Sequence, residues 1–110
     1  MRRTIMTYGG YFERFMMTLN DDERRKIKYI LSLLETEERM PTKFIKYIRD
    51  GLYEIRMSYS GKIYRIFFIF ESGRIVVLFN GFNKKSQKTP LSEIEKALKI
   101  MKEYYADQRP

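Results

Sequence analysis

The chain has 110 residues, a size that suits one domain built around one core, and a single domain spanning residues 1–110 is expected. Hydrophobic residues make up 44% of it, charged residues 33%, and the formal net charge is +8. Nine tyrosines and eight phenylalanines are interleaved with those charges, which argues against a disordered basic tail and for a folded domain with a cationic face. Nucleic acid is the default partner of such a face. The absence of cysteine excludes a disulfide framework and a thiolate zinc site. The absence of histidine removes the commonest general base and metal ligand, so no metal or other cofactor is expected. Met1–Gly10 carries basic residues with no apolar run behind them, and no segment approaches the roughly 18 apolar residues of a membrane span. The expectation is a cytoplasmic protein without a membrane partner.

In chain order, Arg3–Tyr8 reads as a short strand ended by the Gly9-Gly10 break. Tyr11–Leu19 reads as a short helix with Phe12, Phe15 and Met16 on one face. Asn20 has the character of an N-cap, and Glu23 three residues on completes the spacing of a capping box. The helix that follows carries Ile27, Ile30, Leu31 and Leu34 on one stripe and should fade before Pro41. Lys43–Ile48 fits no single pattern. From Leu52 to Phe82 the turn signals Ser60-Gly61 and Ser72-Gly73 cut the chain into three runs rich in aromatic and β-branched residues, a three-stranded antiparallel meander. Asn83–Thr89 is polar and basic and reads as a loop. A closing helix starts at Thr89-Pro90 with proline in its first position, its stripe being Ile94, Ala97, Leu98, Met101 and Tyr105. The expected order is β-α-α-β-β-β-α, an α+β fold.

If both turns are two-residue hairpin loops, Arg56 lies opposite Arg65, and Arg65 opposite Asn80. Glu54 lies one pleat away on the same face, opposite Phe67 and then Leu78. The other face carries Tyr53, Ile55, Met57, Tyr64, Ile66, Phe68, Val77 and Phe79 for helices to cover. Like charges directly opposite on a sheet are destabilising, so the arginine row implies a compensating gain. Guanidinium groups bind phosphate through paired N–H donors, and Lys84 and Lys85 lie just past the strand end. The plainer alternatives are that Arg56, at one end of an outer strand, and Arg65 pair with an acid such as Glu54, and that the two lysines belong to a solvated loop. All of this depends on the register, since a one-residue slip turns every side chain over.

Three stretches carry a family likeness: Gly51-Leu52-Tyr53-Glu54-Ile55-Arg56, Tyr64-Arg65-Ile66-Phe67-Phe68, and Gly81-Phe82-Asn83-Lys84-Lys85-Ser86-Gln87-Lys88-Thr89-Pro90. Together they resemble the core of the HigB-like branch of the RelE/ParE toxin superfamily, a branch that includes phage-derived members. The resemblance covers nearly the whole chain. It implies a microbial-ribonuclease-like fold, a twisted, mainly antiparallel sheet with the two N-terminal helices on one face and a C-terminal helix. It implies metal-independent cleavage of mRNA, usually in the ribosomal A site, and a cognate antitoxin, commonly a helix-turn-helix protein of the HigA type.

The residue roles follow from that likeness. Arg65 matches the arginine on the scissile phosphate, Arg56 a basic strand position, and Glu54 a neighbouring position held by a lysine or a glutamate acting as base. Lys84 and Lys85 match the basic loop that holds RNA. The expected catalytic set is Glu54, Arg56, Arg65 and Lys84, with Glu54 or else a lysine as the base and the acid left open, a role Lys84 or Lys85 could fill. The expected RNA-binding set is Lys62, Asn80, Phe82, Lys84, Lys85 and Lys88, and Tyr59 or Phe82 is available for base stacking. Relatives use a histidine, or a histidine and tyrosine near the C-terminus, as acid–base partner; here only Tyr104 and Tyr105 are near, and Tyr105 fits the helix core. Two other functions compete: a ParE-like toxin that binds DNA gyrase, and a non-catalytic nucleic-acid-binding module.

Overall fold

A computed structural model describes residues 2–39, 41–84 and 89–108. Strand β1 (Thr4–Thr7) is followed by helices α1 (Tyr11–Met17) and α2 (Asp21–Thr36) and a 3-10 turn at Thr42–Phe44. Four strands follow: β2 (Ile45–Arg49), β3 (Leu52–Tyr59), β4 (Lys62–Glu71) and β5 (Ile75–Lys84). Helix α3 (Leu91–Asp107) closes the described chain. The strands form one sheet in the order β1-β5-β4-β3-β2, with β1 parallel to β5 and every other pair antiparallel. The fold is the expected α+β architecture with one strand more. Among the described residues no helix is long and apolar enough to cross a membrane.

The added strand is β2, which falls on the segment whose pattern was ambiguous. Its hairpin with β3 turns at Asp50-Gly51, where both residues have positive φ (54° and 87°), as a two-residue hairpin turn requires. Consequently β3 is an interior strand, not the outer strand expected from sequence. The Ser60-Gly61 turn is of the same kind (φ 52° and 78°), and it gives the expected register, with Arg56 opposite Arg65 and Glu54 opposite Phe67.

The second hairpin departs from expectation. Its loop has three residues, Ser72 to Arg74, because Glu71 pairs with Ile75. A bulge then shifts β5 again: Phe68 pairs with Leu78 but Ile66 pairs with Gly81, leaving Phe79 and Asn80 opposite Phe67. Arg65 therefore lies opposite Phe82 instead of Asn80, and Glu54's row leads to Phe79 and Asn80 instead of Leu78. The slip also moves Val77 and Phe79 to the opposite face from the one expected, and brings Leu78 there in their place. Strand β5 continues through Asn83 and Lys84, which the polar composition had suggested were loop. Lys85 and Lys88 lie outside the described residues.

Each face of the sheet carries its own core. On one, α1 and α2 bring Phe15, Met16, Ile27, Ile30 and Leu34 against Ile55, Met57, Tyr64, Ile66, Phe68, Val76 and Leu78. On the other, α3 brings Ala97, Ile100 and Tyr104 against Leu52, Phe67, Ile69, Val77 and Phe79. Tyr104, not Tyr105, is the buried member of the pair; it meets the rings of Tyr8 and Phe79, and Tyr105 is 44% exposed. Pro90 precedes the first turn of α3 as its N-cap, one position earlier than expected.

The helices are fixed at their ends. In α2 the capping box is complete: Asn20 Oδ1 accepts from the Glu23 amide and Glu23 Oε1 accepts from the Asn20 amide, both at 2.8 Å. At its other end the Arg3 guanidinium donates to the carbonyls of Leu34 and Glu37 at 2.9 and 2.7 Å, a cation on the negative end of the helix dipole. The Arg3 bonds tie the residue just before β1 to the C-terminal end of α2.

Candidate active site

The face covered by α3 is apolar at one end and charged at the other. Alternation along β3 puts Leu52, Glu54, Arg56 and Ser58 on it, and alternation along β4 puts Ile63, Arg65, Phe67 and Ile69 there. Glu54 and Arg65 have no exposed surface. Glu54 Oε1 lies 3.0 Å from Arg56 Nε and 3.8 Å from Arg65 Nε, and Oε2 accepts from the Thr89 hydroxyl at 2.7 Å. One buried carboxylate thus faces two guanidinium groups, so the sequence alternative of acid pairing is realised for both arginines. Pairing does not settle their use. Burial draws the Arg65 pKa below its ordinary value, Glu54 opposes that fall, and Arg56 adds to it.

The two arginines differ in access. The Arg56 side chain is 30% exposed, and it lines a cavity of about 460 Å³ with Lys26, Lys43, Phe44, Met57, Ser58 and Ile63. Lys26 comes from α2 and Lys43 from the 3-10 turn. Both were missed in the sequence reading, because no local pattern shows that these two segments converge on β3. Arg65 lies deeper, with its guanidinium carbon 5.6 Å from the centre of the Phe82 ring, and Phe82 stacks on Phe67 at 5.9 Å.

The remaining expected residues divide. Phe82 belongs to the cluster through Arg65. Asn80 sits on the bulge of β5, buried, outside the arginine row. Lys62 lies at the Ser60-Gly61 turn, 3.7 Å from Glu23, on the side of α2. Tyr59 borders hollows with Tyr29 and Glu23 on the α2 face, the first of which shares Lys26 with the Arg56 cavity. Lys84 pairs through its backbone with Ile63 at the end of β5. Among the described residues no group of acids could hold a metal ion.

This topology defines a class. The chain is similar in fold to the toxin RelE of Escherichia coli, solved in the free state as a double arginine-to-alanine mutant, with a TM-score of 0.63 and 17% identity over 90% of this chain and 97% of that one. The model of the family described as Phage derived protein Gp49-like (DUF891) matches residues 14–102, and the chain belongs to that family. The RelE-like fold and the phage-derived family agree with the resemblance to the RelE/ParE toxin superfamily carried by the strand and loop motifs. No curated protein matches the chain.

Proposed function

We propose that this protein is the toxin of a type II toxin–antitoxin pair and that it cleaves mRNA on the ribosome without a metal ion. The observation that carries the reading is the pair of arginines gathered on Glu54, with Arg56 opening into a cavity that Lys26 and Lys43 make basic. An arginine buried mid-sheet is costly unless it is paired or used. Here the pairing leaves Arg56 partly open to a basic hollow, an arrangement that suits an RNA backbone.

In the proposed reaction the 2′-oxygen of one nucleotide attacks the adjacent phosphorus. A proton leaves the 2′-hydroxyl, the bond from phosphorus to the 5′-oxygen breaks, and that oxygen takes a proton. The products are a 2′,3′-cyclic phosphate and a 5′-hydroxyl. Arg56 and Arg65 stabilise the charge on the pentavalent phosphorus; removing one such donor costs about 10²–10³ in rate. Glu54 is the proposed base, and Lys84, by its place at the end of β5, the proposed acid. Glu54 Oε2 is held by Thr89, so entry of RNA has to displace that hydroxyl before the carboxylate can take a proton.

The partners in this reading are mRNA in the ribosomal A site and a cognate antitoxin, a HigA-like helix-turn-helix protein, in the cytoplasm. The test is primer extension on mRNA after induction of wild type and Arg65→Ala, with growth followed in parallel. Discrete, codon-linked cuts that vanish in the variant support the reading. Growth arrest with intact message, or wild-type cutting by Arg65→Ala, overturns it.

A further inference from the structure

Past Leu78, strand β5 runs beyond the last residue paired with β1, and α1 lies beside it. A cavity of about 390 Å³ opens there between α1, β5 and α3, lined by Tyr11, Arg14, Thr18, Asn80, Phe82 and Lys96 among others. Asn80 is 3% exposed, and neither Oδ1 nor Nδ2 has a hydrogen-bond partner among the described residues. A buried amide with neither its donor nor its acceptor satisfied is unfavourable unless a ligand supplies both. The bulge at Phe79 and Asn80 brings Asn80 to the lining of this cavity, its amide closed off behind the wall until a ligand enters.

The rest of the wall fits one kind of ligand. The exposed Arg14 guanidinium is fixed 4.9 Å from the centre of the Tyr11 ring and donates to the Gly9 carbonyl at 3.3 Å. That makes a pre-positioned cationic platform of the sort on which unstacked RNA bases lie. Lys96 adds a second cation from α3. Phe82 belongs both to this wall and to the contact with Arg65, so the cavity adjoins the arginine cluster.

We infer that this cavity is a nucleobase-binding subsite, in which Asn80 reads the donor–acceptor edge of an unpaired RNA base stacked on Arg14. The inference rests on the proposed RNA cleavage and names the group that gives it base preference. A carboxamide offers one donor and one acceptor side by side, the complement of a base edge.

The experiment compares wild type, Asn80→Ala and Arg14→Gln by melting temperature and by anisotropy with fluorescein-labelled hexaribonucleotides of A, C, G or U. The wild type is expected to bind one homopolymer at least tenfold more tightly than the others. Asn80→Ala is expected to bind all four within threefold of one another and to melt no lower than wild type, because it removes an unsatisfied group. Arg14→Gln, at an exposed position, is expected to weaken the preferred homopolymer most. A wild type that binds none of the four overturns the subsite as a site for free RNA bases, while absence of codon-linked cuts by wild type in the primer-extension test is what overturns the RNA reading itself. A wild type that binds them without preference, an Asn80→Ala that keeps the preference, or one that melts well below wild type overturns the subsite alone.

Discussion

Thr89 donates its hydroxyl to Oε2 of Glu54 at 2.7 Å, joining the residue before Pro90 to the middle of the sheet. Thirty-five residues separate the two in sequence. The bond ties the entry of α3 to the carboxylate that the two arginines share.

Replacing Thr89 by Val removes that donor and keeps the shape. A hydrogen bond to a charged group is worth about 1.5–3 kcal/mol, so urea denaturation of Thr89→Val should show a loss of that order. RNA cleavage should survive within a few-fold, because the proposed reaction displaces the hydroxyl in any case. A variant of wild-type stability would remove Thr89 from the account of the site.

Removing the carboxylate is more severe. Glu54→Ala leaves the buried Arg65 without its anion, and breaking a buried ion pair in this way costs about 3–5 kcal/mol. Replacing both partners, as Glu54→Met with Arg65→Met, should recover part of the loss while abolishing cleavage. Denaturant midpoints of the two single variants and the double variant give the coupling directly. Additive losses would show that Glu54 and Arg65 do not act as a pair.

Glu23 gives a pH signature away from the site. The Tyr64 hydroxyl first, and the Asn20 amide after it, hold the Glu23 pKa below its ordinary value of 4.5. A depressed carboxylate contributes stability that is fully present above its unfolded value and is lost as pH falls through its folded value. Stability of the wild type should therefore fall below about pH 4.5, and Tyr64→Phe should flatten part of that fall. Denaturation midpoints from pH 7 to pH 3 test it, and identical slopes for the two proteins would count against the linkage.

The bulged stretch of β5 also limits what Gly81 can become. A Cβ at Gly81 would stand 2.6 Å from the Phe15 ring. Gly81→Ala should cost about 1–3 kcal/mol through overpacking, and Phe15→Leu in the same chain should recover some of it. Thermal melts of both variants decide this. A Gly81→Ala protein as stable as wild type would mean that α1 shifts freely over β5.

Local chemistry made part of this fold readable. The Asn20–Glu23 capping box and the Ser60-Gly61 turn are written in adjacent residues, and with that turn came the opposition of Arg56 and Arg65 and the place of Glu54. The same kind of signal at Asp50-Gly51 would have found β2, but it was not used, because the strand before it alternates poorly. The Ser72-Gly73 turn hides a third loop residue, Arg74, and the unbroken apolar run from Ile75 to Phe79 shows no alternation that would locate the bulge at Phe79 and Asn80. Those two slips displaced Asn80 from the arginine row and turned over Val77 and Phe79. The choice between Tyr104 and Tyr105 was likewise set by rings from distant segments, Tyr8 and Phe79. Lys26 and Lys43 join the basic hollow through tertiary packing alone.

The pairing of β1 with β5 sets an order of completion. Thr4 meets its partner Ile75 only after most of the chain has been made, and Glu54 receives its hydroxyl from residue 89, later still. Domains settle as units during synthesis, from the N-terminal end. While the chain emerges, its first strand has no partner and its carboxylate no hydroxyl donor. The ribosome that makes this protein therefore carries an unfinished site until α3 is being added.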